Sequence, residues 1–318
     1  MGAQVRPRRG ALSWSAELPL VGAGGEPVDL WRTISSHGVA DLPPNKIDED
    51  ARTLEVTLRV PRGRPRMVGI AQGRTGKATV TVLGPAPSKP LADALLERVG
   101  HALRLDEDLS DFYERVREDP DLSWAASGAG RLLRSATVFE DVVKTIATTN
   151  CAWSATVRMV GAFVQHLGEP AVGAEGEGPY GRAFPTPAAM ADAGDDFYKD
   201  VVRAGYRGAY FRALANSVAS GALDLEELGE TPPDELSDEE VAERLLALPG
   251  VGPYAAAHIM MLLGRYSRLI LDSWTRPKYA RVNGRKASDA GIERRFRRYG
   301  PYAGLAFWLY LTRDWVDD

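Results

Sequence analysis

The sequence predicts an α+β protein in which a small antiparallel β-sheet domain precedes a larger, mostly helical one. Three observations carry this reading. Residues 53–60 (TLEVTLRV) and 77–83 (KATVTVL) alternate apolar and polar side chains with period two, as half-buried strands do. After Pro90 the period lengthens to that of a helix, placing Leu91, Leu95, Val99 and Leu103 on one face. Between residues 237 and 264 two helical patterns are joined only by Leu248-Pro249-Gly250-Val251-Gly252-Pro253, a tight glycine hairpin. The expected division is a β-rich domain over residues 1–90 and a helical domain over 91–318.

The elements follow in order. The basic N-terminus lacks the apolar core and small-residue cleavage site of a signal peptide, and is expected to be a short disordered or edge segment of a cytoplasmic protein. Prolines and glycines over 61–65 separate the two strand patterns, and Pro85, Pro87 and Pro90 close the β region. Thr137-Val-Phe-Glu140 reads as a capping box opening a helix through Val142, Val143 and Ile146. Residues 173–187, rich in Gly and Pro, are an expected irregular connector. A helix is predicted over 197–204, stopped by Gly205, and the next from Tyr210 to Ser220. Ser237-Asp-Glu-Glu240 is a second capping box, with Val241, Leu245 and Leu248 behind it. Pro253 suits the first position of the helix after the hairpin, and Gly264 its C-terminal stop.

Composition excludes several classes. With 44% hydrophobic and 26% charged residues the chain has the balance of a soluble globular protein. No apolar run reaches the roughly 18 residues of a membrane span. The single cysteine, Cys151, excludes an intramolecular disulfide and a cysteine-held metal or iron–sulfur site. The net charge of −4 is unevenly spread: residues 276–299 hold nine Lys or Arg against two Asp or Glu, and residues 224–240 hold nine Asp or Glu and no Lys or Arg. An acidic protein can still present one basic face to phosphates; both runs can equally be solvated faces.

Exposed N–H groups in the glycine loop and at the start of the second hairpin helix suit a phosphate oxygen, although such turns also simply join helices. Leu269-Ile270-Leu271 then leads to Asp272. A carboxylate beside apolar residues is costly unless paired, hydrogen-bonded or functional. Capping a helix near Ser273 is one reading of Asp272, chemistry is the other, and the two are compatible.

Leu248-Pro-Gly-Val-Gly-Pro-Tyr-Ala-Ala followed by Asp272 resembles the signature of the helix-hairpin-helix DNA glycosylase superfamily, in the branch of 3-methyladenine glycosylase II and 8-oxoguanine glycosylase. Phe139-Glu140 through Thr148-Thr149-Asn150-Cys151, Gly205-Tyr-Arg-Gly-Ala-Tyr210 and Gly300-Pro-Tyr-Ala-Gly304 resemble further segments of that branch, in the expected order. The resemblance implies base excision repair of damaged double-stranded DNA by a monomer associated with the nucleoid. It implies Asp272 as the catalytic carboxylate, and a base pocket drawn from Tyr254, His258, Phe307, Trp153 and Trp274, with Trp308 beside them. It implies DNA contacts at Asn150, Leu248, Gly250, Val251, Gly252, Arg207, Arg276, Lys278 and Arg281. No cofactor is implied beyond a monovalent cation (K⁺ or Na⁺) on the carbonyls of Leu248 and Val251. Two departures bear on chemistry. Tyr254 stands where bifunctional members carry a lysine nucleophile, which implies base removal without strand cleavage. Phe307 stands where the 8-oxoguanine enzymes carry a glutamine, and Leu311 where they carry an aromatic stacker, which favours an alkylated purine as substrate. An 8-oxoguanine glycosylase with altered base contacts and a non-catalytic DNA-binding module are the alternatives.

Overall fold

The computed structural model describes residues 13–60, 63–174 and 177–316. Most of the basic N-terminal segment and two residues of the 173–187 connector lie outside the described residues. Strands β1 (Ser13–Pro19), β2 (Lys46–Asp48), β3 (Thr53–Val60), β4 (Gly63–Gln72) and β5 (Lys77–Leu83) form one sheet in the order β1-β5-β4-β3-β2. All neighbours are antiparallel. The two alternating stretches are β3 and β5, and the described end of the N-terminal segment is the edge strand β1. Register sets Leu54 opposite Ile70 and Ile70 opposite Val80, so the apolar sets of three strands share one face.

Helices α1 (Leu30–Ile34) and α2 (Lys89–Ala102) cover that face. Leu95, Val99 and Leu103 are fully buried there beside Ile34, Leu54, Val68 and Val80, and Leu91 packs at the margin. Each such side chain contributes about 1.5–3 kcal/mol of burial. Because α2 shares the sheet's core, packing continues across residue 90.

The remaining helices are α3 (Ser110–Val116), α4 (Val138–Thr148), α5 (Trp153–Leu167), α6 (Pro187–Ala191) and α7 (Arg207–Ala219). They continue as α8 (Glu227–Glu230), α9 (Asp238–Leu246), α10 (Pro253–Leu262), α11 (Thr275–Val282), α12 (Asp289–Phe296) and α13 (Ala303–Thr312). They enclose two cores, and α10 belongs to both: Ala256, Ile259 and Met260 face one, Ala257, Met261 and Leu262 the other. A helix apolar on every side must be buried on every side, and the AAAHIMML run of α10 is the sequence form of that requirement. Among the described residues, no helix is long and apolar enough to cross a membrane.

Two local predictions need correction. The box at Thr137 is only half formed: Thr137 Oγ1 accepts from Glu140 N at 3.2 Å, but the Glu140 carboxylate turns to Lys144 at 2.7 Å. Glu226 takes its place from outside, accepting from the backbone N–H of Val138 and Phe139. The helix predicted over 197–204 is a single π-helical turn, Phe197–Val201, and α7 begins at Arg207 rather than at Tyr210. Gly205, at φ 58°, makes the break between them. The Ser237–Glu240 box is complete.

Candidate active site

The hairpin is built as its sequence requires. Gly250 sits at φ 84°, where other residues are strained, and a Cβ there would lie 2.7 Å from Tyr210 Cδ2. Val251 N bonds Leu248 O at 3.1 Å, closing the turn, and Ala256 N bonds Gly252 O at 2.9 Å, starting α10. The N–H groups of Gly250, Gly252, Tyr254 and Ala255 take no backbone acceptor among the described residues. Nothing lies within 4 Å of a Cβ position on Gly252, so this end of the helix is open to an approaching ligand.

These donors form one wall of a cleft of about 630 Å³. Asn150 and Thr149 form a second wall, Tyr206 and Tyr210 a third, and Asp272 with Arg276 the fourth. Four segments far apart in sequence thus meet at one opening. Asn150, at φ 46°, turns the chain sharply between α4 and α5 and stays exposed at the lip. Left-handed backbone is tolerated by Asn better than by most side chains.

Asp272 is a helix cap. Its Oδ1 accepts from Trp274 N at 2.8 Å and Thr275 N at 2.6 Å, and its own N–H donates to Thr275 Oγ1 at 2.8 Å. The reciprocal pair fixes the side chain at the start of α11. Among the described residues no hydrogen bond or ion pair ends on Oδ2, which is left to the cleft. Tyr254, the second residue of α10, lies across from it, its hydroxyl 3.4 Å from Thr148 Oγ1. Burial pushes the Tyr254 phenol up, and the charge of Asp272 pushes it further in the same direction, so it is a neutral donor.

The predicted base-pocket residues divide. His258 lies buried below Tyr254, edge to face at 6.0 Å between ring centroids, and does not line the cleft. Trp274 is 39% exposed and packs against Trp308 and Trp315, with centroids 5.7 and 5.6 Å away. Trp153 lines a separate groove of about 670 Å³ together with Trp31, His37 and Trp315. Phe307 is corrected: it is fully buried against Phe296 (5.2 Å) and Tyr279 (6.2 Å), inside the second helical core and away from any opening. An aromatic side chain on a helix apolar all round carries no signal separating core from pocket.

The predicted DNA contacts divide as well. Gly250, Gly252 and Asn150 reach the cleft; Leu248 and Val251 sit behind it and pack into the first helical core. Arg207 is corrected: it is 7% exposed, stacks on Tyr206 at 4.6 Å and donates to Thr149 O, so it props the Asn150 turn from inside. Arg276 lines the cleft in a bidentate pair with Asp289 (2.8 and 2.9 Å), and Lys278 holds Asp314 at 2.6 Å. Arg295 and Arg298 of the same basic run are paired with Asp121 and Asp119. Arg281 is exposed and has no acidic partner among the described residues.

Sequence reasoning missed His37, Trp31 and Trp315. They come from opposite ends of the chain, and no spacing links them. The ends are joined by Trp308 Nε1, which donates to Ser36 O at 2.9 Å, and by Arg32 Nη2, which donates to Val316 O at 3.2 Å. His37 faces His258 edge to face at 5.8 Å. Burial holds His37 down to about 3, with His258 and Lys144 acting in the same direction, and holds His258 down to about 4 against the opposing charge of Asp272. Both rings are therefore neutral at pH 7.

This pair has a measurable consequence. The unfolded chain gains two protons on these histidines as pH falls below 6.5, while the folded protein refuses them until about pH 4 and 3. Asp141, pushed up to about 6 by burial, works the other way, since the folded state then holds one proton the unfolded chain lacks down to about pH 3.8. The difference is one proton, so stability is expected to fall by roughly 1.4 kcal/mol per pH unit between about pH 6 and pH 4. Asp106, held down to about 2 by His101 and Arg134 against its own burial, adds to the loss below pH 3.8. Urea denaturation at pH 7, 6, 5 and 4 measures this; a midpoint that stays level or rises toward pH 4 contradicts it.

No family model and no curated protein matches the chain. Solved structures do. MBOgg1 in complex with a low-affinity DNA ligand is similar at 20% identity and a TM-score of 0.68, over 95% of this chain and 96% of that one. The 3-methyladenine DNA glycosylase from Archaeoglobus fulgidus is similar at 21% identity and a TM-score of 0.66, over 96% of this chain and 100% of that one. The Clostridium acetobutylicum 8-oxoguanine glycosylase/lyase in its apo form is similar at 18% identity and a TM-score of 0.66, over 91% and 94%. Over nearly its whole length, this chain therefore has the fold shared by these DNA glycosylases.

Proposed function

We propose that this protein is a monofunctional DNA N-glycosylase that flips a damaged purine, alkylated on a ring nitrogen, out of duplex DNA and hydrolyses its glycosidic bond. The observation that carries this reading is Asp272 Oδ2: an anchored carboxylate oxygen with no partner among the described residues, beside a loop of free N–H groups. The free donors of Gly250, Gly252, Tyr254 and Ala255 hold a backbone phosphate without reading sequence. Arg281 and, on exchange of Asp289 for phosphate, Arg276 add charge along the strand. The carbonyls of Leu248, which already accepts one hydrogen bond, and Val251 would hold a monovalent cation, which would supply positive charge at the hairpin.

Asn150 fills the space left by the extruded nucleotide. The bond between C1′ and the base nitrogen then breaks with its electron pair leaving on the base, and the sugar takes on oxocarbenium character. Asp272 stabilises that charge and orients the water that adds to C1′, whose proton is released. A base already alkylated on nitrogen is a good leaving group and needs no protonation.

Tyr254 offers no amine, so no imine to the sugar forms. Among duplexes carrying 3-methyladenine, 7-methylguanine, hypoxanthine or 8-oxoguanine, those with an alkylated base are expected to release it, leave an intact abasic strand and give no covalent complex with borohydride. Release of 8-oxoguanine alone would assign the other substrate class. A trapped adduct would overturn the monofunctional assignment. Damaged duplex bound without release of any base would make the protein a binding module.

A further inference from the structure

The groove lined by Trp31, Trp153 and Trp315 adjoins the Asp272 cleft on two sides. Cys151 of the cleft and Trp153 of the groove are two residues apart at the start of α5, and Trp274, whose N–H is held by Asp272, packs on Trp315. Between the two runs a row of rings: Tyr254 lines the cleft, His258 is buried behind it, and His37 lines the groove. His37 is 4% exposed. Its Nε2 lies 2.7 Å from Leu133 O, which can only accept, so Nε2 carries the hydrogen. In a neutral ring Nδ1 is then a lone-pair acceptor, and it is buried with no hydrogen-bond partner among the described residues, as is Ser35 Oγ nearby. A buried polar atom left unpaired is costly, and that cost is recovered by a ligand that supplies the missing donor.

Resting on the glycosylase reading above, we infer that the tryptophan-lined groove receives the extruded base and that His37 is a specificity-determining residue, its Nδ1 accepting from an amine on the inserted edge. A purine with an exocyclic amine donates to that nitrogen. The same ring with a carbonyl at that position sets one lone pair against another. The indoles of Trp153 and Trp315 supply faces that attract a cationic ring; Arg52 lies over the third, Trp31, at 6.0 Å, and its single positive charge is outweighed by Asp41 and Glu49 at the rim. The selected class is thus an amino-purine alkylated on nitrogen, in preference to an oxo-purine.

Two measurements test this. In the first, free 3-methyladenine and hypoxanthine are titrated into the whole protein, followed by tryptophan fluorescence and calorimetry. The wild type is expected to bind 3-methyladenine more tightly, His37→Leu to lose about tenfold or more of that preference, and Trp153→Ala to weaken binding of both. Trp153 is 49% exposed, so its removal leaves the fold intact should His37→Leu not fold. In the second, release of the same two bases from duplex DNA is compared. The preference is expected to collapse in His37→Leu while affinity for an abasic-site duplex is unchanged. Wild-type release with an unaltered preference in His37→Leu, or binding unaltered in Trp153→Ala, overturns the inference and leaves the glycosylase reading standing. Absence of any base release by the wild type overturns that reading instead, and the titration then decides the groove by itself.

Discussion

Asp272→Asn is expected to lower base release by about 10²–10³-fold while leaving the fold and the binding of damaged duplex nearly unchanged. Two roles meet in this residue, and the substitution separates them. Both capping bonds end on Oδ1, at 2.8 and 2.6 Å, and an asparagine carbonyl accepts them equally well. What is lost is the charge. A carboxylate about 4 Å from a developing sugar cation is worth about 4 kcal/mol at an effective dielectric of 20, close to 10³-fold in rate. Alanine removes the cap as well and is expected to cost about 1 kcal/mol of stability in addition. Single-turnover release of base, read beside the denaturation midpoint, distinguishes the two. An asparagine variant as fast as wild type would remove Asp272 from the chemistry.

What could be read from the sequence follows a physical rule. Strands β3 and β5 and helix α2 were legible because one buried face imposes a period on neighbouring residues. The hairpin was legible because few residues allow the backbone of Gly250, and Asp272 because a carboxylate after three apolar residues requires an explanation. Phe307 shows the limit: once α13 is buried all round, no period remains to say which aromatic side chain faces a cavity. Arg207 shows another, since the positive charge that would suit a phosphate equally suits the carbonyl of Thr149. The basic run over 276–299 was visible as composition, but its partners Asp314, Asp121 and Asp119 come from elsewhere in the chain. The groove of Trp31, His37 and Trp315 was illegible for the same reason, being assembled by the meeting of the two ends.

The largest expected loss of stability lies away from the cleft, at Lys144. Its side chain is 1% exposed, its Nζ sits 2.7 Å from Glu140 Oε1 one turn earlier on α4, and the Glu140 side chain is 4% exposed. The Phe184 ring lies 5.9 Å from Nζ. Removing water from both charges is costly, and their mutual attraction, with a 3.5 Å hydrogen bond from Lys144 Nζ to Ser135 Oγ, offsets it. Glu140→Gln leaves the ammonium buried without its counter-charge and is expected to cost about 3–5 kcal/mol by urea denaturation. Glu140→Gln combined with Lys144→Met removes both charges and is expected to recover most of that loss, because the unpaired ion, not the missing attraction, sets the penalty. A single substitution costing less than about 1 kcal/mol would mean the pair is open to water, as surface pairs are. The consequence reaches function through α4 itself, which ends at Thr148 and delivers Asn150 to the cleft. If the double variant regains stability and releases base at the wild-type rate, the pair serves only to seat α4. If it regains stability and loses release, the charge pair fixes the position of the Asn150 turn, a role that apolar packing does not supply.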